Sequence, residues 1–515
     1  MFTAQPVAER TAGQWGRRMK LMDRLREHAR VRGQQAALEW PGHRMDYRTL
    51  VEQVEAVSSQ LRQRGLRTLA VDLDNGPAWA LLDIASLSMD LCLIPLPAFF
   101  STHQLRHVLE QSGAQAVVTS NPAGLAARLG GDGMLPASEI SIAGQRLGLL
   151  GLKGDPDKVP TGVHKVTFTS GTTGEPKGVM LAWRHMEPVV RSLSEVTGIR
   201  PDDRHLCLLP LAVLLENIGG LYVPLWTGAT TILPTLREVG LSGSSGLDAA
   251  AMANALGAHR ASTAIFTPQS LQGLVEVVES GLTKPSTLRF AAVGGAPVSQ
   301  RLLVRAARLG LPVYEGYGLS ECASVVCLNT PGRQRVGSVG RPLPHVNVRV
   351  TADGGVEVKG AGFAGYLGVD DPVPEWWRTG DVGRLDGEGY LHLWGRRRNV
   401  FITAFGRNVA PEWVERELTL EPAIAQAAVF GEARPWNSAV IVPTRGARPE
   451  EVDQAIQRTN ALLPDYARVA RWLPAEEPFS PANGLLTGTG RIRRDRILDR
   501  YHSDIEYLYH EENRQ

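Results

Sequence analysis

The sequence predicts an α/β protein: a large N-terminal part of helix-covered, mostly parallel sheets with a small β-subdomain, then a small α+β unit. Length is the first observation behind this. A chain of 515 residues exceeds one ordinary hydrophobic core, so at least two domains are expected. Alternation is the second. Strand-like and helix-like segments take turns through residue 318, the rhythm of βα units that gives parallel sheets covered by helices. The third is a change near residue 335, where short strands and glycine turns take over.

The elements follow in order. "YRTLVEQVEAVSSQLRQRG" (47–65) is amphipathic at helical spacing and stops at glycine. "TLAVDL" (68–73) reads as a strand, 77–90 as a helix, "LCLIPL" (91–96) as a strand, 102–113 as a helix and "AQAVVTS" (114–120) as a strand. The same rhythm returns at 260–268, 287–295 and 311–318. "GLSGSSG" (240–246) is expected to be a short flexible loop. "RVGSVGRPLPHVNVRVTADGGVEVKG" starts the β-subdomain. Beyond the basic joint "GRRRN" (395–399), a helix at 411–419, strands near 423–430 and 438–442, and a helix near 451–463 form the α+β unit. The expected division is 1–397 and 398–515.

Composition narrows the function. A net charge of +2 offers no polybasic footprint, so no nucleic-acid partner is expected. Cys92, Cys207, Cys322 and Cys327 are too few and too scattered for a disulfide framework or a zinc site, and read as buried thiols. The start "MFTAQPVAERTAGQWGRR" lacks a signal peptide's apolar stretch. The longest apolar run, 206–215, is shorter than the ~18 residues that a membrane span needs. A cytoplasmic enzyme without a transmembrane segment is expected, with peripheral membrane contact left open.

Chemistry concentrates in "TFTSGTTGEPKGVM" (167–180), with five hydroxyl side chains, three glycines and one lysine. It is too polar and glycine-rich for a core strand or helix interior. Glycines let backbone approach an anion closely, hydroxyls and amides donate to phosphate oxygens, and lysine adds a point charge. It is not a Walker A loop, because Pro176 precedes Lys177 and Gly178 follows it.

This stretch resembles the phosphate loop of the acyl-adenylate-forming (AMP-binding) superfamily. Further matches follow in the family's order: "VGGAP" (293–297), "YEGYGLSE" (314–321), "RTGDVGRLDGEGYLHLWGRRRN" (378–399) and "GTGRIRRDR" (488–496). The tail is most similar to the long-chain fatty acyl-CoA synthetase branch. The resemblance implies the adenylate-forming enzyme fold, with a large adenylation domain and a mobile C-terminal domain. It implies that Thr169, Ser170, Gly171, Thr172, Thr173, Gly174 and Lys177 wrap the triphosphate of ATP. Gly294, Gly295, Ala296 and Pro297 would run along the adenine, Tyr317 would stack on it beside Gly318, and Ser320, where threonine is usual, would touch phosphate. Glu321 would ligate Mg²⁺, Asp381 would accept from the ribose hydroxyls, and Arg396 would contact ribose or the α-phosphate. Arg398 marks the hinge, and 404–415 the face used when a thiol enters.

The implied reaction is ATP-dependent activation of a carboxylic acid to acyl-AMP, then transfer to coenzyme A. A medium- or long-chain fatty acid is the expected substrate. Lys177, Glu321 and Arg491 are the expected catalytic residues. Two positions depart from the pattern. Val213 stands where long-chain members usually carry histidine, and Arg491 where the final motif supplies a lysine. Apolar residues near 211–226 and 290–297 serve equally as tunnel lining or as core. An acyl-AMP ligase that loads an acyl carrier protein, and a non-catalytic nucleotide-binding homologue, remain as alternatives.

Overall fold

The computed structural model describes residues 19–130, 138–169, 176–242, 246–360, 362–487 and 490–510. A nine-stranded sheet holds, in spatial order, Val313–Tyr317, Phe290–Val293, Thr263–Phe266, Arg204–Leu206, Thr230–Ile232 and Ala36–Trp40, all mutually parallel. Antiparallel strands finish both of its edges. A seven-stranded sheet has the parallel strands Ala116–Thr119, Thr68–Asp72, Cys92–Pro95 and Lys165–Thr169 at its centre, again with antiparallel edges. Short polar turns suffice at such edges, whereas parallel neighbours need crossover helices.

Burial follows strand period. In the seven-stranded sheet Leu69, Val71 and Leu93 enter the main core, while Ala70, Cys92 and Ile94 enter a second core on the opposite face. The helix Pro77–Leu87 is buried at every residue, as an element apolar all round must be. Its one acid, Asp83, pairs with Lys165 at 2.7 Å, both fully buried. Tyr222 donates to the same carboxylate at 2.6 Å, and Asn217 at 2.8 Å. These partners lie in a π-helical turn, Asn217–Tyr222, so one charged knot ties that turn to the strand Lys165–Thr169.

The expected β-subdomain is a four-stranded antiparallel sheet from Asn347–Val350 to Leu391–Arg396. Beyond it, Ile424–Phe430, Asn437–Pro443 and Val469–Pro474 form a three-stranded sheet. The helices Pro411–Leu418 and Pro449–Asn460 cover it with their own apolar core. The stretch 240–246 is not wholly irregular, because Leu241–Ser242 pairs antiparallel with Gly246–Leu247. The four cysteines are free and buried. No helix among the described residues is long and apolar enough to cross a membrane.

Candidate active site

The strands Lys165–Thr169 and Lys177–Leu181 pair antiparallel, with Thr169 opposite Lys177. Lys177 therefore begins the returning strand rather than lying within a loop. Ser170, Gly171, Thr172, Thr173 and Gly174 lie outside the described residues. The Thr169 hydroxyl donates to the Lys177 carbonyl at 3.5 Å. The segment 364–367 runs beside the returning strand: Ala364 N donates to Met180 O at 2.8 Å, Met180 N to Gly365 O at 3.1 Å, and Leu367 N to Gly178 O at 2.8 Å. That pairing sets the Tyr366 ring 5.6 Å from the Lys177 ammonium.

Across the cleft, the strands Phe290–Val293 and Val313–Tyr317 end together, and 294–297 and 318–321 extend from their carboxyl ends. In open α/β sheets this is where ligands bind. Close backbone approach fixes the glycines. A Cβ on Gly318 would lie 1.5 Å from the Ser324 carbonyl oxygen, and Gly295 has φ +83°. Tyr317 donates its hydroxyl to Asp381, whose other oxygen meets Arg396 at 2.9 Å. Arg396 also donates to Thr379 O at 2.9 Å. Burial pushes the Asp381 carboxyl up, opposed by Arg396. Tyr317, Asp381 and Arg396 are thus one bonded unit. Ser320 and Glu321 lie in the 3₁₀ turn that follows. Glu321 Oε1 accepts from the Tyr366 hydroxyl at 2.6 Å. Burial, and then Glu321, push the Tyr366 phenol up.

Arg491 reaches into this cleft from the C-terminal side, and its Nη2 donates to the Gly295 carbonyl at 2.7 Å. It keeps surface open to the cleft, yet protein surrounds its guanidinium, and burial pulls its pKa down, with Arg396 next and Asp381 opposing. The same two parts of the chain meet again where Ser299 donates to Glu417 at 3.1 Å, where Arg301 meets Glu421 at 3.3 Å, and where Gln272 donates to Thr419 O at 3.3 Å. Glu315 is buried beside this contact. Desolvation pushes its carboxyl up to about 8, against the pull of Arg416. Arg398 lies on the cleft wall. In the hairpin between Phe401–Ile402 and Asn408–Val409, the turn residue Phe405 is 74% exposed.

The cleft has a volume of about 2530 Å³ and continues over one face of the nine-stranded sheet. Register aligns its floor in rows: Thr267 and Gly294 just past the strand ends, then Ile265 and Ala292, then His205, Thr263 and Phe290. Val213, Leu215 and Gly219 add apolar wall, Leu214 and Val223 belong to both wall and core, and Leu211, Ile218, Leu221 and Leu225 are core alone. His205 makes no open polar site. Its ring nitrogens contact Thr263 Oγ1 at 2.9 Å and Glu216 Oε1 at 2.8 Å. Cys207 lies in the same buried group.

Sequence reasoning missed Tyr366, Glu315, Arg416 and the floor residues His205 and Thr263. Tyr366 sits in "GFAGYLG" (362–368), where glycine spacing is the one local signal.

Two family models match the chain: AMP-binding enzyme over residues 25–372, and AMP-binding enzyme C-terminal domain over 399–513. The chain belongs to the AMP-binding enzyme family. Among its relatives, the long-chain-fatty-acid–CoA ligase FadD15 of Mycobacterium bovis is 28% identical, across 84% of this chain and 86% of that one. The indoleacetate–CoA ligase of Aromatoleum aromaticum is 31% identical, across 67% and 68%. The structure of the anthranilate CoA ligase AuaEII with anthranoyl-AMP superposes with a TM-score of 0.76 at 18% identity, covering 93% of this chain and 97% of that one. These structures share the fold of adenylate-forming enzymes, with a large N-terminal and a smaller C-terminal domain.

Proposed function

We propose that this protein is an AMP-forming acid–thiol ligase that activates a medium- or long-chain fatty acid and passes it to coenzyme A. The carrying observation is the convergence of Lys177, Glu321, Asp381, Arg396 and Arg491 on one cleft that runs into an apolar-walled cavity. In the first step a carboxylate oxygen attacks the α-phosphorus of ATP, a P–O bond forms, and pyrophosphate leaves. Two anions must meet, so fixed positive charge lowers the barrier. Lys177, with the hydroxyls of 169–173, holds the phosphates. Arg491 bridges carboxylate and α-phosphate with its planar fork. Asp381 takes the ribose hydroxyls, held in place by Arg396. The glycines at 294–295 admit the base beside Tyr317.

Glu321 suits a hard divalent cation: it is a half-buried carboxylate on the cleft wall, and its Oε2 makes no hydrogen bond among the described residues. Bound there, Mg²⁺ would neutralise phosphate charge. In the second step the thiol attacks the acyl carbonyl and AMP leaves. The family's domain rotation would bring this about, with Arg398 as the hinge between 1–397 and 398–515, and 404–415 as the face that receives the thiol.

Cavity length supports a chain rather than a compact acid. Gly294 and Phe290 are four residues apart, about 13 Å of strand. A zigzag chain of ~1.5 Å bonds needs roughly ten carbons to cover that distance. Beyond the deep row the lining continues to Leu193, Thr197 and Ile199. The relatives' named acids include aromatic ones, so the acid is the point to test. ATP–pyrophosphate exchange across a panel of straight-chain and aromatic acids is expected to peak with straight chains of about ten carbons or more. Thioester should then appear with free coenzyme A. Peak exchange with an aromatic acid, or thioester only on a phosphopantetheinylated carrier protein, would overturn the corresponding half of the proposal.

A further inference from the structure

Tyr366 lies against two of the charged side chains of the cleft, Glu321 and Lys177. Its hydroxyl donates to Glu321 Oε1 at 2.6 Å, and its ring lies 5.6 Å from the Lys177 ammonium. The contact is built rather than incidental. The backbone of 364–367 is bonded along the strand that begins with Lys177, and Val179 and Tyr366 form a β-bridge. Phe363 and Trp377 pack edge-on around the ring, with centroids at 5.1 and 6.0 Å, and Phe363 meets Trp377 at 4.9 Å. These two aromatic rings therefore leave the phenol little freedom to turn.

A carboxylate that binds a hard cation works best when its orientation is set beforehand. One oxygen held by a donor leaves the other presented to the metal, and loss of such an outer partner typically costs ~10–100-fold in metal affinity. An ammonium near a ring face gains electrostatic attraction of its own. We infer that Tyr366 is a positioning residue that aims the Glu321 carboxylate at Mg²⁺ and holds the Lys177 ammonium over the phosphates. This rests on the adenylation reading of the cleft, since it assigns Mg²⁺ and ATP to those two side chains.

The test separates hydroxyl from ring in the full-length protein. Nucleotide affinity is measured by calorimetry, without any acid, as Mg²⁺ is raised from zero. Tyr366→Phe keeps the ring, so metal-free ATP binding should match wild type while the half-saturating Mg²⁺ rises about tenfold or more. Tyr366→Leu should also weaken metal-free binding, by a few-fold. A cycle with Glu321→Gln gives the decisive readout. In that background, Tyr366→Phe should no longer move the Mg²⁺ titration. A merely structural tyrosine would lower stability equally in both backgrounds and leave the titration unmoved. An unchanged Mg²⁺ midpoint in Tyr366→Phe overturns the inference, as does Mg²⁺-independent ATP binding by the wild type. Wild-type Mg²⁺-dependent binding without acid-dependent pyrophosphate exchange would instead sink the ligase reading and leave the positioning role standing.

Discussion

Replacing Arg491 with alanine gives the sharpest test of the adenylation step. Its Nη2 donates to the Gly295 carbonyl at 2.7 Å, and the same guanidinium feels the charges of Arg396, Asp381, Arg398 and Glu321. Removing it deletes one positive charge from the place where, in the proposed reaction, two anions meet. A hydrogen bond to a charged group is worth ~1.5–3 kcal/mol. With ~1.4 kcal/mol per factor of ten, Arg491→Ala should slow ATP–pyrophosphate exchange roughly ten- to a hundredfold or more. Arg491→Lys retains the charge and should keep most of the rate. Thioester formation from supplied acyl-adenylate should change little, because in the proposed mechanism domain rotation would carry this motif away from the reacting atoms. Wild-type exchange in Arg491→Ala would refute the reasoning and leave the side chain as an interface contact only.

Arg398→Pro fixes φ at the proposed hinge and should spare pyrophosphate exchange while thioester output falls, and equal loss of both steps would argue for misfolding or another hinge. Asp83→Ala leaves the fully buried Lys165 ammonium without its counter-charge, so urea unfolding should show a loss of ~3–5 kcal/mol. A loss within experimental error would mean that Lys165 is neutral in the folded protein. Burial raises the folded pKa of Glu315 to about 8, well above the ordinary carboxylate range, so its contribution is complete below the unfolded pKa and is lost as pH rises through about 8. Thermal melts of wild type should therefore fall relative to Glu315→Gln between about pH 5 and 9, and parallel curves would show that the carboxyl is already ionised.

Local patterns made much of the fold legible. The helix 47–65 was bounded by a glycine, and the structure ends it at Gln63. The alternation around 260–318 became three adjacent parallel strands, because each was a short apolar run between turn signals. Asp381 and Arg396 were chosen separately by resemblance, and antiparallel pairing sets them opposite each other. Tyr366 was not legible. Its partners are 45 residues away at Glu321 and far upstream at Lys177, and nothing in a glycine-rich turn announces which strand it will lie along. Glu315 was quoted within a motif but given no role, since only burial against another part of the chain makes its carboxyl unusual. The phosphate-loop residues 170–174 rest on the motif alone.

The strand Phe290–Val293 gives alternate residues to different neighbours: Phe290 and Ala292 pack on the main core and the cavity, while Ala291 and Val293 enter the separate core beneath, Val293 also meeting the cavity at the strand's end. Register extends this division to Ile265 above and to Ala264 and Phe266 below. Under the proposed function, substrate preference and foldability would be written in alternate letters of the same short words. A lineage can rewrite the upper letters, lengthening or narrowing the space for its acid, while the lower letters keep the sheet packed. Such a sheet can drift among acids without passing through an unfolded ancestor, which is a physical reason for relatives at this level of identity to carry names as different as fatty acid and indoleacetate ligases.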